Sequence, residues 1–352
     1  MEDVMELTTP FTESEPVPVS SDKTELQKTL KLLSSFDPIG SPYVAVQFVE
    51  GKPEFYRSSV NGFAQTKNFQ VEEIFVDLQH FIEYLKYLPD NVEVSVAPNG
   101  VLRLYAIRDG FPTNMSVHTV LKGQTGFKYH APVGRSLELK PKTFSGLDVR
   151  HITNLSGHPT VMNGMVMIPT NTGTLVYSGA AEFLPPTSDV SPKFSFLKLV
   201  SGGAAVDDMY VSQNGYWRAA VEGLTVYMVG QGPDARLFRR MTLPGTEVCQ
   251  FTASALLWGL SAATGLIGDT EYVGMSPRDG ITIQDKFGNP AQWALDEGLD
   301  WPKFRINGGQ AKLIVNTLKQ AQDDKIVFSD VPNDTSPLLR FSRGNFAVNI
   351  SL

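Results

Sequence analysis

Basic side chains recur on one face of a predicted helix near the C-terminal end of the chain. In the stretch "GGQAKLIVNTLKQ", Lys312 and Lys319 are seven residues apart and share a helical face, whereas Ile314 and Leu318 lie on the opposite face. No acidic residue occurs in residues 302–321, although the chain as a whole is acidic. Such a face attracts phosphate groups and carries no means of reading bases.

Other predicted helices carry bases in the same place, opposite their apolar stripe. A soluble helix needs a solvated face, and lysine is common there, so solvation alone explains each base taken singly. The recurrence in five of six predicted helices favours a shared, sequence-independent attraction to phosphate. The sixth helix, "TASALLWGLSAAT", carries no base. The candidate set is Lys28, Lys31, Lys86, Lys142, Arg150, Lys198, Lys312 and Lys319.

Signatures of catalysis are scarce. The sequence has no phosphate-binding loop, no dinucleotide fingerprint and no nucleophile elbow. Its closest histidines, His151 and His158, are separated by Gly157 and followed by Pro159, which interrupt any helix that would align them as metal ligands. The single cysteine, Cys249, excludes an intramolecular disulfide and indicates a buried strand thiol. We therefore predict no catalytic residue, no metal and no cofactor.

The elements that position the bases form a repeating unit. The order helix, stop, strand, turn, strand occurs three times, about 110 residues apart, and each copy follows another helix-then-strands half. Each half can bury its helix stripe and one sheet face against its twin. The sequence predicts an α+β fold of three domains, at residues 23–132, 133–244 and 245–352. The predicted helices lie at residues 22–36, 78–88, 140–155, 192–203, 252–264 and 308–321.

Composition and charge are those of a soluble protein with an acidic N-terminal segment. The chain has 352 residues, 42% of them hydrophobic, and no apolar run of transmembrane length. Six of its seven net negative charges lie in residues 1–22, which contain no base and are expected to form a flexible tail. The nearly neutral remainder can carry a basic surface, so the overall acidity does not exclude a nucleic-acid partner. The lack of a secretory signal favours an intracellular, reducing location.

Three domains of paired halves resemble the bacterial-type DNA polymerase sliding clamp, or β clamp. The words "VMNGM" (161–165) and "GPDARLFRRMTLPG" (232–245) are similar to that family's "YLNGM" and "FPDYRRVLP", and the ending "NFAVNISL" takes the place of "YVVMPMRL". The resemblance covers about residues 23–352, whereas the acidic tail has no counterpart. Its divergence suggests a phage or viral version, working in the bacterial host cytoplasm.

The resemblance implies a fold and a function. Two three-domain subunits would join head to tail into a homodimeric ring, with helices inside and sheets outside. The ring would encircle double-stranded DNA and tether a DNA polymerase without chemistry of its own and without a membrane, and a clamp loader is a further possible partner. The bases listed above would then face the hole and let the ring slide.

The family also holds peptides from polymerases and the clamp loader in an apolar pocket. Matching its motifs position by position gives the pocket residues of this chain. The altered C-terminus, "VNIS" instead of "MPMR", puts the use of this pocket in question; plain core or edge-strand packing would also explain these apolar residues. The candidates are Met162, Leu184, Pro233, Arg240, Met241, Phe346, Val348 and Ile350.

Two other classes of protein remain open from the residues alone. A strand-rich viral structural protein, such as a tail or baseplate component, would also have frequent turns and an acidic tail. An enzyme on a β-rich scaffold is a third alternative, for which no site is visible. The repeated pairs of halves with bases opposite the apolar stripe favour the clamp.

Overall fold

The structure, a computed structural model, describes the chain in segments and divides it into two compact units. One unit comprises the described part of Met1–Ala131 together with Gly223–Thr225, and the other comprises that of Pro132–Glu222 and Val226–Leu352. The described residues are 20–36, 40–70, 74–97, 100–120, 124–125, 135–139, 143–182, 190–212, 214–295, 301–332 and 338–351.

Helices separated by runs of antiparallel strands along the described chain confirm the predicted α+β class. The helices are α1 (Lys23–Phe36), α2 (Leu78–Lys86), α3 (Phe194–Val200), α4 (Ala235–Met241), α5 (Ala253–Leu266) and α6 (Gly308–Leu318). The strands are β1 (Ser20–Asp22), β2 (Tyr43–Val49), β3 (Lys52–Ser59), β4 (Gly62–Thr66), β5 (Ile74–Asp77), β6 (Asn91–Val96), β7 (Leu102–Arg108), β8 (Phe111–Val117), β9 (Thr119–Val120), β10 (Arg135–Leu139), β11 (Thr160–Met162), β12 (Met165–Thr170), β13 (Gly173–Tyr177), β14 (Val206–Ser212), β15 (Tyr216–Val221), β16 (Leu224–Val229), β17 (Thr246–Thr252), β18 (Tyr272–Ser276), β19 (Gly280–Gln284), β20 (Pro290–Trp293), β21 (Phe304–Asn307), β22 (Lys325–Val331), β23 (Leu338–Arg343) and β24 (Phe346–Ser351).

The first unit packs two helices against two sets of strands. One set has the order β1-β6-β7-β8 and the other the order β4-β3-β2-β5-β9. Leu30 and Leu33 of α1 and Phe81 and Leu85 of α2 are fully buried, as the apolar spacing of these helices predicts. The buried Arg57 of β3 donates from Nη1 to the carbonyl oxygen of Leu33, 2.6 Å away, and so anchors the C-terminal end of α1.

The second unit packs its helices against three sets of strands, in the orders β11-β12-β13-β24-β23-β22-β17, β20-β19-β18-β21 and β10-β14-β15-β16. The first set joins strands from residues 160–177 to strands from residues 246–351 in one sheet. Helices α5 and α6 pack against each other, α5 also against β19 and β17 and α6 against β24 and β13. The ring of Phe328 lies 5.3 Å from that of Phe304 and 5.0 Å from that of Phe341, so aromatic packing fills this core.

Two of the sequence expectations differ from the structure. The helix predicted over residues 140–155 is wrong, because residues 143–151 form turns. A Cβ at Gly146 would lie 2.7 Å from the hydroxyl of Tyr177, and the amide of Gln320 bonds the backbone of Asp148 on both sides, at 2.7 and 3.0 Å. Tertiary contacts therefore hold this segment out of a helix. Conversely, α4 forms in a segment for which no helix was predicted.

The end of the predicted acidic tail is a strand. Ser20–Asp22 form β1 and pair with β6, and the Asp22 carboxylate accepts the backbone N–H of Thr24 at 2.7 Å at the start of α1. Residues 1–19 lie outside the described residues, and so does the expectation of flexibility for them. The three-domain division stays a prediction.

Two smaller findings concern the thiol and the helix lengths. Cys249 is buried in β17, as predicted, and burial raises the pKa of its thiol to about 11. Within the part of the chain that the structure describes, no helix combines the length and the apolar character needed to cross a membrane.

Candidate nucleic-acid interface and apolar cluster

Helix α6 presents the predicted basic face. Its N-terminus is fixed by a capping box, in which Asn307 and Gln310 exchange side chain-to-backbone hydrogen bonds of 2.8 and 2.9 Å. Leu318 is fully buried, whereas Lys312 is partly exposed and Lys319 is exposed. The amphipathic spacing read from the sequence thus places both lysines on the solvent side of α6.

Both lysines of α6 have a polar partner within the protein. The ammonium of Lys312 lies 2.6 Å from Oδ1 of Asp269, a residue of the turn that follows α5. The ammonium of Lys319, at the C-terminal cap of α6, donates to the side-chain oxygen of Asn316 at 2.8 Å. The acid-free stretch of sequence therefore acquires an acid through the tertiary structure. Phosphate would have to compete with Asp269 for Lys312.

Arg150 and Lys319 both lie near residues 148–151, since Arg150 bonds Asp148 and the charge of Lys319 acts on His151. Two hydrogen bonds from Arg150, of 3.0 and 2.8 Å, hold the pKa of Asp148 down at about 2, and Asp148 in turn raises the pKa of Arg150. Burial is the main cause of the lowered pKa of His151, and the charge of Lys319 lowers it further. Since Gln320 also bonds the backbone of Asp148, the 143–151 turns and the end of α6 form one polar surface.

The remaining predicted bases are distributed over other helices. Lys28 and Lys31 are exposed on α1, and Lys86 is exposed on α2, where it pairs with Glu83 at 2.5 Å. Lys198 is exposed on α3, with its ammonium 4.8 Å from the centre of the Phe194 ring. Lys142 lies outside the described residues. The expectation that Lys142 and Arg150 align on a helix is wrong, because Arg150 stands in a turn.

An apolar cluster reaches the surface of the second unit. Its members come from α4, from Leu243 just after it and from one face of the seven-stranded sheet, so residues far apart in sequence share one patch. Met162 and Met241, predicted from the resemblance, are brought together in it. The buried members are Met167, Val176, Met241, Val331 and Leu338, and the partly buried ones are Met162, Met165, Leu237, Phe238, Leu243 and Ala347. We call this set the apolar cluster.

The C-terminal strand turns a different face to the apolar cluster from the one expected. Ala347 of β24 belongs to the cluster, and alternation along a strand puts Phe346, Val348 and Ile350 on the opposite face. Val348 and Ile350 are fully buried, and Phe346 packs with its ring 4.9 Å from that of Tyr177. The prediction that these three side chains line an open pocket is therefore not supported by their burial. Pairing with β13 and β23 fixes this register.

Helix α4 is held against the sheet by polar contacts at both ends. Asp234 caps its N-terminus, accepting the backbone N–H groups of Arg236 and Leu237 at 2.9 and 3.0 Å. At the C-terminus, Arg340 donates to the carbonyl oxygen of Met241 at 2.8 Å. These bonds position the apolar side of α4 over the cluster.

Of the three other predicted pocket residues, two are not members of the apolar cluster and one lies outside the described residues. Pro233 is partly exposed just before α4, and Arg240 is exposed and donates to the hydroxyl of Ser351 at 2.9 Å. Leu184 lies outside the described residues. Neither Pro233 nor Arg240 is a member of the cluster.

The sequence reading missed several residues of these surfaces. Asp269 gave no local signal, because its contact with Lys312 joins residues 43 positions apart. Leu237 and Phe238 could have been found, since "DARLFRRM" carries a capping residue and an apolar pair. No group of three or more potential metal ligands is gathered anywhere in the described residues.

Comparison with known proteins places the fold. No family model matches the sequence, and neither does any curated protein. Solved structures do match. The DNA polymerase III beta chain of Streptococcus pneumoniae superimposes with a TM-score of 0.64 at 13% identity, over 94% of this chain and 98% of that one. The beta sliding clamp of C. crescentus superimposes with a TM-score of 0.62 at 13% identity, over 94% of this chain and 98% of that one. The Helicobacter pylori beta clamp, bound to a DNA ligase peptide, superimposes with a TM-score of 0.62 at 12% identity, over 95% of this chain and 99% of that one. The chain has the beta-clamp fold.

Proposed function

We propose that this chain is a DNA sliding clamp, a ring of two copies that encircles duplex DNA and tethers a DNA polymerase. The observation that carries the proposal is the beta-clamp fold over 94% of the chain, together with exposed bases on the helices. It favours a clamp over a viral tail or baseplate protein. The proposal assigns no chemical step to the protein.

The geometry of the bases suits a ring that slides. Lys312 and Arg150 each contact an acid of the same chain, at 2.6 and 2.8 Å, so phosphate must displace or share that acid. Exposed ion pairs of this kind are worth about 0.2–1 kcal/mol, which makes each phosphate contact weak and easily exchanged. Retention on DNA would then come from closure of the ring around the duplex.

Each unit offers a sheet edge that could close the ring. In the first unit, β8 is an outer strand, with Phe111 exposed on it and Ile107 exposed on its neighbour β7. In the second unit, β20 is an outer strand, and Phe287 is exposed in the turn that leads into it. We propose a head-to-tail contact between the β8 edge of one copy and the β20 edge of the other, in three-domain subunits.

The apolar cluster is proposed to receive partner peptides. A solved clamp from Helicobacter pylori carries a DNA ligase peptide, and we infer that a polymerase or clamp-loader peptide would bind this chain through Met162, Leu237 and Phe238. These side chains are partly buried and so accessible in part. Flexible methionines adapt to different apolar ligands, and this supports a peptide site. The buried C-terminal residues would support the site from beneath.

The test is retention on circular DNA that depends on topology. Purified protein is loaded on nicked circular DNA with the matching loader, or at high concentration without one, and its release is followed after linearisation. Prompt loss from linear DNA and retention on circles is expected. Equal retention on both forms would contradict the sliding clamp. Sedimentation of the free protein should give a dimer, and a monomer at micromolar concentration would contradict the ring as proposed.

A charge-reversal variant tests the basic face. Lys312→Glu together with Lys319→Glu should reduce retention on circles and leave thermal unfolding nearly unchanged, because both side chains reach solvent. The matched control is Lys52→Glu with Lys67→Glu, which makes the same change in charge at exposed positions outside the helices. If both double variants weaken binding equally, total charge rather than the α6 face is responsible.

A further inference from the structure

The exposed face of α5 carries one large aromatic side chain among small neutral ones. Trp258 is 65% exposed, and Ser254, Ser261 and Gly265 follow the same face at helical spacing and are also exposed. The opposite face, which includes Leu260, is buried. The helix has no acidic or basic residue. If this face meets DNA, it can do so only through apolar contact and neutral hydrogen bonds.

Helix α5 lies beside the basic helix in an antiparallel pair. The N–H of Ala253, which begins α5, donates to the carbonyl oxygen of Asp324, just beyond α6, at 2.8 Å. The N–H of Gly309, near the start of α6, donates to the carbonyl oxygen of Asp269, just beyond α5, at 3.0 Å. Each helix therefore begins where the other ends.

Trp258 lies in the N-terminal half of α5, the half nearer the C-terminal end of α6. Trp258 is about one and a half turns into α5, and Lys319 caps the C-terminus of α6. Both helices bury their other face in the core, so their exposed faces look away from the sheets. A polyanion attracted by Lys319 and Arg150 would come close to the indole of Trp258.

We propose that Trp258 is a direct contact to the sugar–phosphate backbone of duplex DNA, an inference that rests on the proposed clamp function. The indole N–H donates to a phosphate oxygen, and the ring face packs on deoxyribose carbons. Both interactions are possible at any base sequence, as a sliding contact requires. Neither displaces a counterion from DNA, so Trp258 supplies a part of the affinity that does not depend on salt.

The salt dependence of binding separates this contact from the lysines. Full-length protein is titrated into a labelled short duplex at several salt concentrations, and binding is read by fluorescence anisotropy. We expect Trp258→Ala to weaken binding about three- to tenfold by the same factor at every salt concentration, as loss of one hydrogen bond and one apolar contact would. Lys319→Gln should instead lower the slope of log K against log salt by about 0.9.

Val60→Ala is the control. Val60 is 77% exposed in the turn between β3 and β4, and its truncation should leave both affinity and slope unchanged. Trp258→Phe should recover part of the affinity, since it keeps the ring and loses the donor. Unchanged affinity for Trp258→Ala, or a loss that comes with a reduced slope, would overturn the proposal.

Tryptophan fluorescence gives a second readout. Trp217 and Trp301 are buried, whereas Trp293 is partly exposed, so the signal of Trp258 is taken as the difference between the wild-type protein and Trp258→Phe. Duplex DNA should protect this signal from quenching by acrylamide. Stronger protection by single-stranded than by duplex DNA would mean base stacking and would overturn the backbone contact. If the wild-type protein is not retained on circular DNA, the clamp function itself fails. If the lysine changes weaken binding as expected but the Trp258 variants behave like the wild-type protein, only the inference about Trp258 fails.

Discussion

Replacing Asp269 by Asn should make the protein bind duplex DNA more tightly. The Asp269 carboxylate lies 2.6 Å from the ammonium of Lys312, and the two side chains are 69% and 43% exposed. In the proposed clamp this carboxylate competes with DNA phosphates for the lysine. Asparagine keeps the shape and the oxygen acceptor but removes the charge, so Lys312 becomes available to DNA.

The size of the effect follows from the exposure of the pair. Exposed ion pairs contribute about 0.2–1 kcal/mol, so release of Lys312 should tighten binding about 1.4- to 5-fold. A lysine that newly neutralises a phosphate adds up to about 0.9 to the slope of log K against log salt. Folding stability should fall by no more than about 1 kcal/mol, because the same pair is lost from the native state.

The assay is anisotropy of a labelled duplex at several salt concentrations, with a double-mutant cycle. Asp269→Asn also removes a direct repulsion between Asp269 and DNA, so the change is repeated in Lys312→Gln, where only that repulsion remains. Asp330→Asn, an exposed acid of β22, is the control for net charge. The reasoning is refuted if Asp269→Asn changes neither affinity nor slope, or if its effect persists in full without Lys312.

Two further predictions concern stability. The pKa of Asp148 is about 2, below its usual 3.8, so its bond with Arg150 stabilises the protein above pH 4 and is lost as pH falls from about 4 to 2. Urea unfolding should show Arg150→Ala less stable by at most about 1 kcal/mol at neutral pH, converging on wild type near pH 2; a constant difference would contradict the pKa. Gly265→Ala should raise stability by about 0.5–1 kcal/mol, because nothing lies within 4 Å of the added methyl in α5. Gly308→Ala should instead lower stability and Tm, because its methyl would collide with the carbonyl oxygen of Gly268, and equal effects of the two changes would contradict this packing.

Local pattern was enough for most of the secondary structure. The apolar stripes of α1, α2 and α6 and the alternation around Cys249 predicted burial correctly, because a helix or strand inside a domain must hide one face. The basic face of α6 followed from the same spacing. The clamp resemblance came from the predicted pairs of halves and from the short motifs "VMNGM" and "GPDARLFRRMTLPG".

The tertiary structure decided which groups meet. Residues 140–155 had a helical spacing of bases, yet Gln320 and Tyr177 hold the described part of that segment in turns. Pairing of β24 with β13 and β23 turned Ala347, rather than Val348, toward the apolar cluster, and a shift of one residue reverses such a choice.

The charge environment of the bases was likewise invisible in the sequence. Asp269 reaches Lys312 only because α5 and α6 pack side by side, and the same packing sets the N-terminal half of α5, which carries Trp258, nearer the C-terminal end of α6. Periodicity reports which face of one segment is buried, since burial is a property of that segment. The partner of an exposed charge depends on which distant segments the fold brings within a few ångströms, and no local pattern carries that information.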